Sequence, residues 1–250
     1  MKVLSIDLDY IMSPSIELYE TLQHDGNPTT RWNQLFDYSD FRDCHFIVDQ
    51  GNLLFCFDVF LQALNKCDSV SFGYEHDAIL YDIKDKSKID LINIDHHDDI
   101  FSGNFGHPES EIDALNKFDR VMEGNWGMWL QTKGRLKSFT WIGNSDSHNL
   151  VHVPFAEKYI NNFRFCTREQ YEFVSDCKFD QIFVCQSPGY VPPLHWHMIG
   201  TFMTVYEEMT GKKVDLKQYN RKYEMEKYYA QVTEYITCLL YTSDAADEED

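Results

Sequence analysis

The chain has 250 residues, of which 43% are hydrophobic and 15% aromatic, and their even spread predicts one large core. No apolar run approaches the roughly 18 residues that a membrane span needs, and the start lacks a signal-peptide pattern, so we expect a cytoplasmic protein. The formal net charge of −19 argues against nucleic-acid binding, which normally needs a basic face. The seven cysteines include no Cys-x-x-Cys pair, so they indicate neither a disulfide framework nor a thiolate zinc site.

The end of the chain differs from the rest. The string CLLYTSDAADE, which begins at Cys238, resembles one reading frame of a sequencing adapter. We therefore expect residues 238–250 to be read-through without a structural role, and residues 1–237 to form a single domain.

Short apolar runs rich in β-branched and aromatic residues alternate with segments of helical periodicity along the chain. This alternation predicts an α/β fold of βαβ units with three layers and a mostly parallel, buried central sheet. The predicted strands are Lys2 to Ile6, Ser69 to Phe72, Ile89 to Ile94, Ser138 to Ile142 and Gln181 to Cys185. The predicted helices are Leu53 to Leu64, Glu111 to Met122, His197 to Met209, which stops at Gly211, and Tyr219 to Ile236.

Polar side chains that can bind metals follow four of the predicted strands. In open α/β sheets, ligands bind beyond the carboxyl ends of the strands, so we expect these distant residues to meet in one crevice. They are Asp7 and Asp9 after the first strand, Glu75 and His76 after the second, Asp95, His97 and Asp99 after the third, and Asn144 and Asp146 after the fourth.

The segment Asp95 to Asp99 carries the most specific pattern. Alternation along an extended chain turns Asp95, His97 and Asp99 to one side. The same rule pairs Asp7 with Asp9. Five ionisable residues in a row after an apolar strand would repel one another unless a cation or wide exposure relieved them. With His76 these six residues offer two nitrogens and four carboxylates, a mixture that suits two manganese ions about 3.5 Å apart, or zinc or another divalent ion.

Two of these motifs carry a resemblance to a known family. The run Ser5-Ile6-Asp7-Leu8-Asp9 resembles the S-x-D-x-D element of the arginase/deacetylase superfamily, and the run from Asp95 to Asp99 resembles its D-x-H-x-D element. The chain is most similar to the arginase-like branch that includes peptide arginases. Weaker similarity lies in Glu75-His76, in Asn125-Trp126 and in the run Ser187 to Pro193.

The resemblance implies a binuclear manganese site and an arginase/deacetylase-like fold. One ion would be held by His76, Asp95, Asp99 and Asp7, and the other by His97, Asp95, Asp7 and Asp9, with Asp95 and Asp7 bridging. The family places S-x-D-x-D after D-x-H-x-D, whereas here it opens the chain. The resemblance therefore also implies a permuted connection that preserves the site.

The resemblance further implies hydrolysis of a guanidino group, with attack by a metal-activated water on the guanidinium carbon of arginine. His107 is the first candidate for protonating the leaving amine, and Glu75 or Glu123 for recognising the guanidinium. The expected substrate is a small guanidino compound or an arginine-containing peptide. An acidic protein would attract either one, because both are cationic.

Three other readings of the sequence stay open. Asp95-His96-His97 matches the signature of the DHH phosphoesterases, which also carry an Asp-x-Asp near the N-terminus, but little basic character surrounds the motifs here. A one-zinc deacetylase would need only three of the six ligands. A non-catalytic protein with an arginase-like fold would bind ions without hydrolysing a substrate. The sequence does not indicate an oligomeric state.

Overall fold

The protein is described by a computed structural model, which covers residues 1–13, 28, 31–32, 47–83, 88–102, 107–118, 121, 123–144, 147–171 and 177–217. Three predictions lie outside these residues, namely the helix Tyr219 to Ile236, the position of Asp146, and the read-through segment 238–250.

A seven-stranded sheet forms the centre of the fold, in the order β7-β6-β5-β1-β8-β4-β9. All its described strand pairs are parallel, which confirms the predicted α/β fold with a mostly parallel sheet. A separate antiparallel pair joins β2 to β3. The strands are β1 (Lys2–Asp7), β2 (Met12–Ser13), β3 (Ile47–Val48), β4 (Cys67–Gly73), β5 (Ile89–Ile94), β6 (Leu136–Ile142), β7 (Phe163–Cys166), β8 (Phe179–Cys185) and β9 (Leu216–Lys217).

Within the described residues, six α-helices with full bounds connect or flank these strands. The longest begins after Asp49, whose side chain caps it by accepting from the backbone N–H of Asn52, and the last ends at Gly211 in the left-handed conformation that glycine favours. The helices are α1 (Gln50–Leu64), α2 (Ile79–Asp82), α3 (Pro108–Phe118), α4 (Trp126–Thr132), α5 (Val153–Tyr159) and α6 (Met198–Thr210).

Two apolar clusters cover the two faces of the sheet and produce the three layers. One packs α1 and α6 against the strands, with Phe60 and Phe202 in contact between the two helices. The other packs α3, α4 and α5 against the opposite face, around Trp126 and Phe139. Because both faces are buried, the central strands are nearly continuous apolar runs, which made them easy to predict.

The remaining differences from the sequence prediction concern short elements. β2, β3, β7, β9, α2, α4 and α5 were not predicted, because elements of two to seven residues carry too little periodicity. Among the described residues, no helix has the length and apolar character required to span a membrane.

Candidate metal centre

The carboxyl ends of β1, β4 and β5 lie at one edge of the sheet because these strands run parallel in it. Asp7 is the last residue of β1, His76 lies in the 3-10 turn that follows β4, and Asp95 directly follows β5. All three side chains are buried, Asp95 completely. The fold therefore brings together residues that are up to 88 positions apart at the edge where ligands bind in such sheets.

His76 is the centre of the first group of ligands. Its Nδ1 atom lies 3.1 Å from Oδ2 of Asp7, 3.0 Å from Oδ2 of Asp95 and 2.7 Å from Oδ2 of Asp99. Its other ring nitrogen, Nε2, lies 2.5 Å from Oγ of Ser5, which fixes the orientation of the ring. Among the described residues, Nδ1 makes no hydrogen bond of good geometry, so these four atoms converge without satisfying one another.

Asp9 and His97 form the second group together with Asp95. Nδ1 of His97 lies 2.6 Å from Oδ2 of Asp9 and 3.7 Å from Oδ1 of Asp95. The ligand atoms of this group lie within 4.8 Å of one another, as do those of Asp7, His76 and Asp95. Asp95 belongs to both groups and faces each with a different oxygen. It is thus placed to bridge two ions. Asp7 belongs to the first group only, through Oδ2, and its Oδ1 accepts from the backbone N–H of Asp9.

Asp99 reaches the first group through an unusual backbone conformation. Its φ angle is 54°, in the left-handed region, which aspartate tolerates better than most residues. Two groups at the start of α4 hold it there: Nε1 of Trp126 donates to Oδ2 of Asp99 over 2.6 Å, and the backbone N–H of Gly127 donates to its carbonyl over 2.9 Å. A Cβ atom at Gly127 would lie 3.0 Å from that carbonyl oxygen, so glycine permits the close approach.

The side chains of His96 and Asp98 hydrogen-bond to the loop that follows β6, while the backbone N–H of His96 donates to Oδ1 of the candidate ligand Asp9 over 3.3 Å. Nδ1 of His96 lies 3.2 Å from Nδ2 of Asn144, and Nδ1 of His152 lies 2.6 Å from Oδ2 of Asp98. The segment therefore divides its side chains between the metal centre and the loop that follows β6. This is the division that alternation along an extended chain predicts, although the segment bends after β5 and is not itself a strand.

Burial and mutual repulsion shift the pKa values of these groups. Burial, with the charges of Asp7 and Asp95, raises the pKa of Asp9 well above its ordinary value. Burial, with the charge of Asp95, raises the pKa of Asp99 to about 8. Burial alone would lower the pKa of His76, but the carboxylates around it outweigh that effect and raise it well above its ordinary value. Without a cation, the cluster therefore retains protons.

The pKa of Asp95 shifts in the opposite direction. Burial alone would raise its pKa, but the adjacent imidazoles of His76 and His97, which are positively charged when protonated, lower it well below its ordinary value. The shared ligand is thus the group that stays ionised most readily.

The donor set fits divalent metal ions. With neutral imidazoles, the four carboxylates would bring four negative charges into a buried site, which is costly unless cations compensate. Two divalent ions would neutralise this charge, and the convergence of His76 Nδ1 with three carboxylate oxygens resembles a ligand shell more than a hydrogen-bond network. Oxygen-rich sites with some imidazole suit manganese and related ions. The geometry fixes neither the identity nor the number of the metals.

The structure describes the three residues predicted to act in catalysis in less detail than it describes the six candidate ligands. Glu75 precedes His76 and is half-buried, so it lies near the first group. His107 is exposed at the start of α3. Glu123 begins the 3-10 turn before α4, and its side chain lies outside the described atoms.

Sequence reasoning missed several groups that surround the ligands. Trp126 is fully buried in the core, and its Nε1 donates to Asp99. The ring of Tyr190, in the segment after β8, lies 4.3 Å from the ring of His97, and the buried guanidinium of Arg31 lies 4.6 Å above Tyr190. Arg31 is a basic residue one contact removed from His97, through the ring of Tyr190. Only the similarity noted for Asn125-Trp126 and for the Ser187 to Pro193 run gave a signal for any of these residues.

Comparison of the chain with known protein families, with curated proteins and with solved structures gives no match. The assignment of function therefore depends on the geometry of the site and on the motifs.

Proposed function

We propose that the protein is a binuclear metal-dependent hydrolase that cleaves a C–N bond in a guanidino group, as the resemblance to the arginase-like branch implies. One observation carries the two-metal part of the proposal, namely that Asp95 is shared by two ligand groups and presents a separate oxygen to each. A single-zinc deacetylase needs only one such group. The guanidino specificity rests on the sequence motifs and on the acidic character of the chain.

Different residues of the chain would have different roles in the reaction. When bound, two divalent ions would lower the pKa of a shared water and supply the nucleophile. Asp95 would keep the two ions at a fixed spacing, while Ser5 and Trp126 hold His76 and Asp99 in their orientations. Glu75 is the proposed partner of the substrate guanidinium, and His107 the proposed donor of a proton to the leaving amine.

Metal content and urea release test the proposal together. Full-length protein would be supplemented with manganese, dialysed and measured by elemental analysis, next to Asp95→Asn. We expect about two manganese ions per chain in the natural protein and a loss of both in the variant, because both groups use Asp95. Urea release from arginine and from an arginine-containing peptide would then be assayed.

Asp90→Asn is the matched control, since Asp90 lies on the same strand but pairs with the exposed Lys137. It should keep both ions and full activity. One tightly bound zinc ion would instead favour the deacetylase reading, and two ions without urea release would favour a non-catalytic binding protein. A folded, manganese-supplemented protein without metal would contradict the proposal.

Phosphoester hydrolysis is a second candidate, because one observation favours it. The buried guanidinium of Arg31 packs on Tyr190, which in turn contacts His97. A cation near a metal pair stabilises the charge of a phosphoryl group. Three results together would support this candidate. The manganese-loaded protein would release nitrophenol from bis(p-nitrophenyl) phosphate, Arg31→Met would release less, and neither protein would release urea from arginine.

A further inference from the structure

Asn93 is a fully buried amide side chain on β5, two residues before the candidate ligand Asp95. Other buried residues of this strand, such as Leu91, Ile92 and Ile94, are apolar, as expected for a strand that is covered on both faces. Asparagine is unfavourable at such a position, because it is depleted in strands and a buried amide needs hydrogen-bond partners. The reason for its presence must therefore lie in its contacts.

The amide of Asn93 contacts the ligand that the two groups share. Its Nδ2 donates to Oδ2 of Asp95 over 3.1 Å. An ionised carboxylate can only accept hydrogen bonds, so the amide must turn its N–H groups towards Asp95 and its oxygen away. Among the described residues, no group donates to that buried oxygen, Oδ1. The side chain is thus arranged to satisfy Asp95 although its own oxygen gains no hydrogen bond within this part of the chain.

The two oxygens of Asp95 are held by two different donors. Oδ1 faces the second group and accepts from the backbone N–H of His97 over 2.8 Å. Oδ2 accepts from Asn93 and lies 3.0 Å from Nδ1 of His76 in the first group. The backbone donor is present whatever side chain occupies position 97, whereas the other donor depends on Asn93. Together the two donors fix the plane of the carboxylate, so each oxygen faces one group.

A second support of the first group lies beside Asn93. In the parallel pairing of β1 with β5, Asn93 is opposite Ser5, so the two side chains point to the same face of the sheet. Oγ of Ser5 lies 2.5 Å from Nε2 of His76. One strand therefore orients the imidazole, and its neighbour orients the carboxylate oxygen that this imidazole faces. Both supports act on the first group.

We propose that Asn93 is a positioning residue that holds Oδ2 of Asp95 towards His76 and thereby sets the metal affinity of the first group. The second group uses the other oxygen of Asp95, so its metal affinity does not depend on Asn93. The inference rests on the proposed function, because it requires that both groups hold ions. Loss of an outer contact of this kind typically weakens metal binding by about 10–100-fold. One substitution should therefore affect the two ions differently.

Asn93→Leu tests the proposal, because leucine has a similar size but no hydrogen-bond donor. The substitution would be combined with His97→Ala, which leaves the first group intact, and separately with His76→Ala, which leaves the second. Competition with a fluorescent manganese chelator measures each affinity. We expect Asn93→Leu to weaken manganese binding at least about tenfold in the His97→Ala protein and less than about twofold in the His76→Ala protein.

The same substitution in the otherwise natural protein provides a second measurement. One ion should bind as tightly as before, and the other at least about tenfold more weakly. Electron paramagnetic resonance should then show a single manganese ion at concentrations at which the natural protein shows a coupled pair. Asn93→Ala, which removes the donor and adds no volume, takes the place of the leucine variant if that variant does not fold.

Gln181→Leu is the matched control. Gln181 is also a buried amide side chain of the central sheet, on β8, and it donates to Oγ of Ser71 and to the carbonyl of Ile182, which lie outside both ligand groups. It should lower the melting temperature as Asn93→Leu does, because each variant loses a buried hydrogen bond, but both manganese affinities should stay unchanged. Equal weakening of both ions by Asn93→Leu, weakening of neither, or the same pattern in Gln181→Leu would overturn the inference.

Urea release separates this inference from the proposed function. If Asn93→Leu weakens one of two ions in a protein that releases no urea from arginine or from a peptide, the inference stands and the guanidino substrate is rejected. If the protein releases urea but both ions respond equally to the substitution, the proposed function stands and the inference is wrong. A folded protein that binds no manganese would contradict both.

Discussion

Oδ2 of Asp98 lies 2.6 Å from Nδ1 of His152 and ties the metal-ligand segment to the 3-10 turn that follows β6. Asp98 is 1% exposed, and its Oδ1 also accepts from the backbone N–H groups of Ile100 and Phe101. It lies between the candidate ligands His97 and Asp99 but takes no part in their groups. The contact therefore fixes the segment on the side opposite the candidate ligands.

Replacing His152 should loosen this segment. In His152→Ala the buried carboxylate of Asp98 loses a hydrogen-bond partner, which costs roughly 1–3 kcal/mol of unfolding free energy. Manganese should also bind about tenfold more weakly, because two of its ligands flank Asp98. Urea denaturation and metal titration by calorimetry would measure both effects.

His197→Ala is the control, since His197 is exposed and, among the described residues, its ring hydrogen-bonds to the carbonyl of Leu194 in the neighbouring turn. It should leave both quantities within error. A His152 variant that matched it in stability and in manganese affinity would show that the Asp98 contact does not support the ligand segment.

Ser5 should matter for the metal affinity although it is not a ligand. Its Oγ lies 2.5 Å from Nε2 of His76, so Ser5→Ala removes the group that orients the imidazole. Loss of such an outer contact typically weakens metal binding by about 10–100-fold. Competition between the protein and a fluorescent manganese chelator would measure the change. Ser138→Ala, which removes a contact to Asp90 far along the neighbouring strand, should have no effect.

The sequence was sufficient to predict the parts of the fold that depend on apolar periodicity. The central strands are buried on both faces, so their apolar runs could be recognised, and the polar residues that follow them marked one edge of the sheet. The Asp-x-Asp and Asp-x-His-x-Asp spacings also pointed to five of the six residues that the structure brings together, and the position of His76 after a predicted strand pointed to the sixth.

The surroundings of the ligands could not be predicted in this way. The hydrogen bond from Trp126 to Asp99 and the packing of Arg31 on Tyr190 join residues 27 and 159 positions apart through tertiary contacts. No periodicity records such contacts. The contact of Arg168 with Asp49 is also tertiary, because the two residues lie in loops whose lengths cannot be read from the apolar pattern of the sequence.

Trp126 provides a test of that unpredicted contact. Trp126→Phe keeps an aromatic ring against His76 but removes the N–H that donates to Asp99 over 2.6 Å. We expect about tenfold weaker manganese binding with a small change in melting temperature. Trp129→Phe, in the same helix, is the control and should bind manganese normally. Equal affinities of the two variants would mean that the indole N–H does not hold Asp99.

The protonation of the cluster predicts how metal binding depends on pH. Burial and the charge of Asp95 raise the pKa of Asp99 from 3.8 to about 8. A carboxyl group with a raised pKa binds a proton in the folded chain but not in the unfolded chain, so the metal-free protein should lose stability as pH rises through this range. The raised pKa of His76 acts in the same direction above 6.5, whereas Asp95, whose pKa is lowered, stays ionised throughout.

Manganese must displace those protons, so its affinity and the rise in melting temperature that it causes should both increase from about pH 6 to about pH 8.5. Thermal unfolding at several pH values, with and without manganese, would measure this increment. Asp99→Asn removes one of the titrating groups and should make the stability of the metal-free protein depend less on pH. If manganese raised the melting temperature of the natural protein by the same amount at every pH in this range, the cluster would not be protonated in the metal-free protein. A cluster without bound protons has none for the metal to displace.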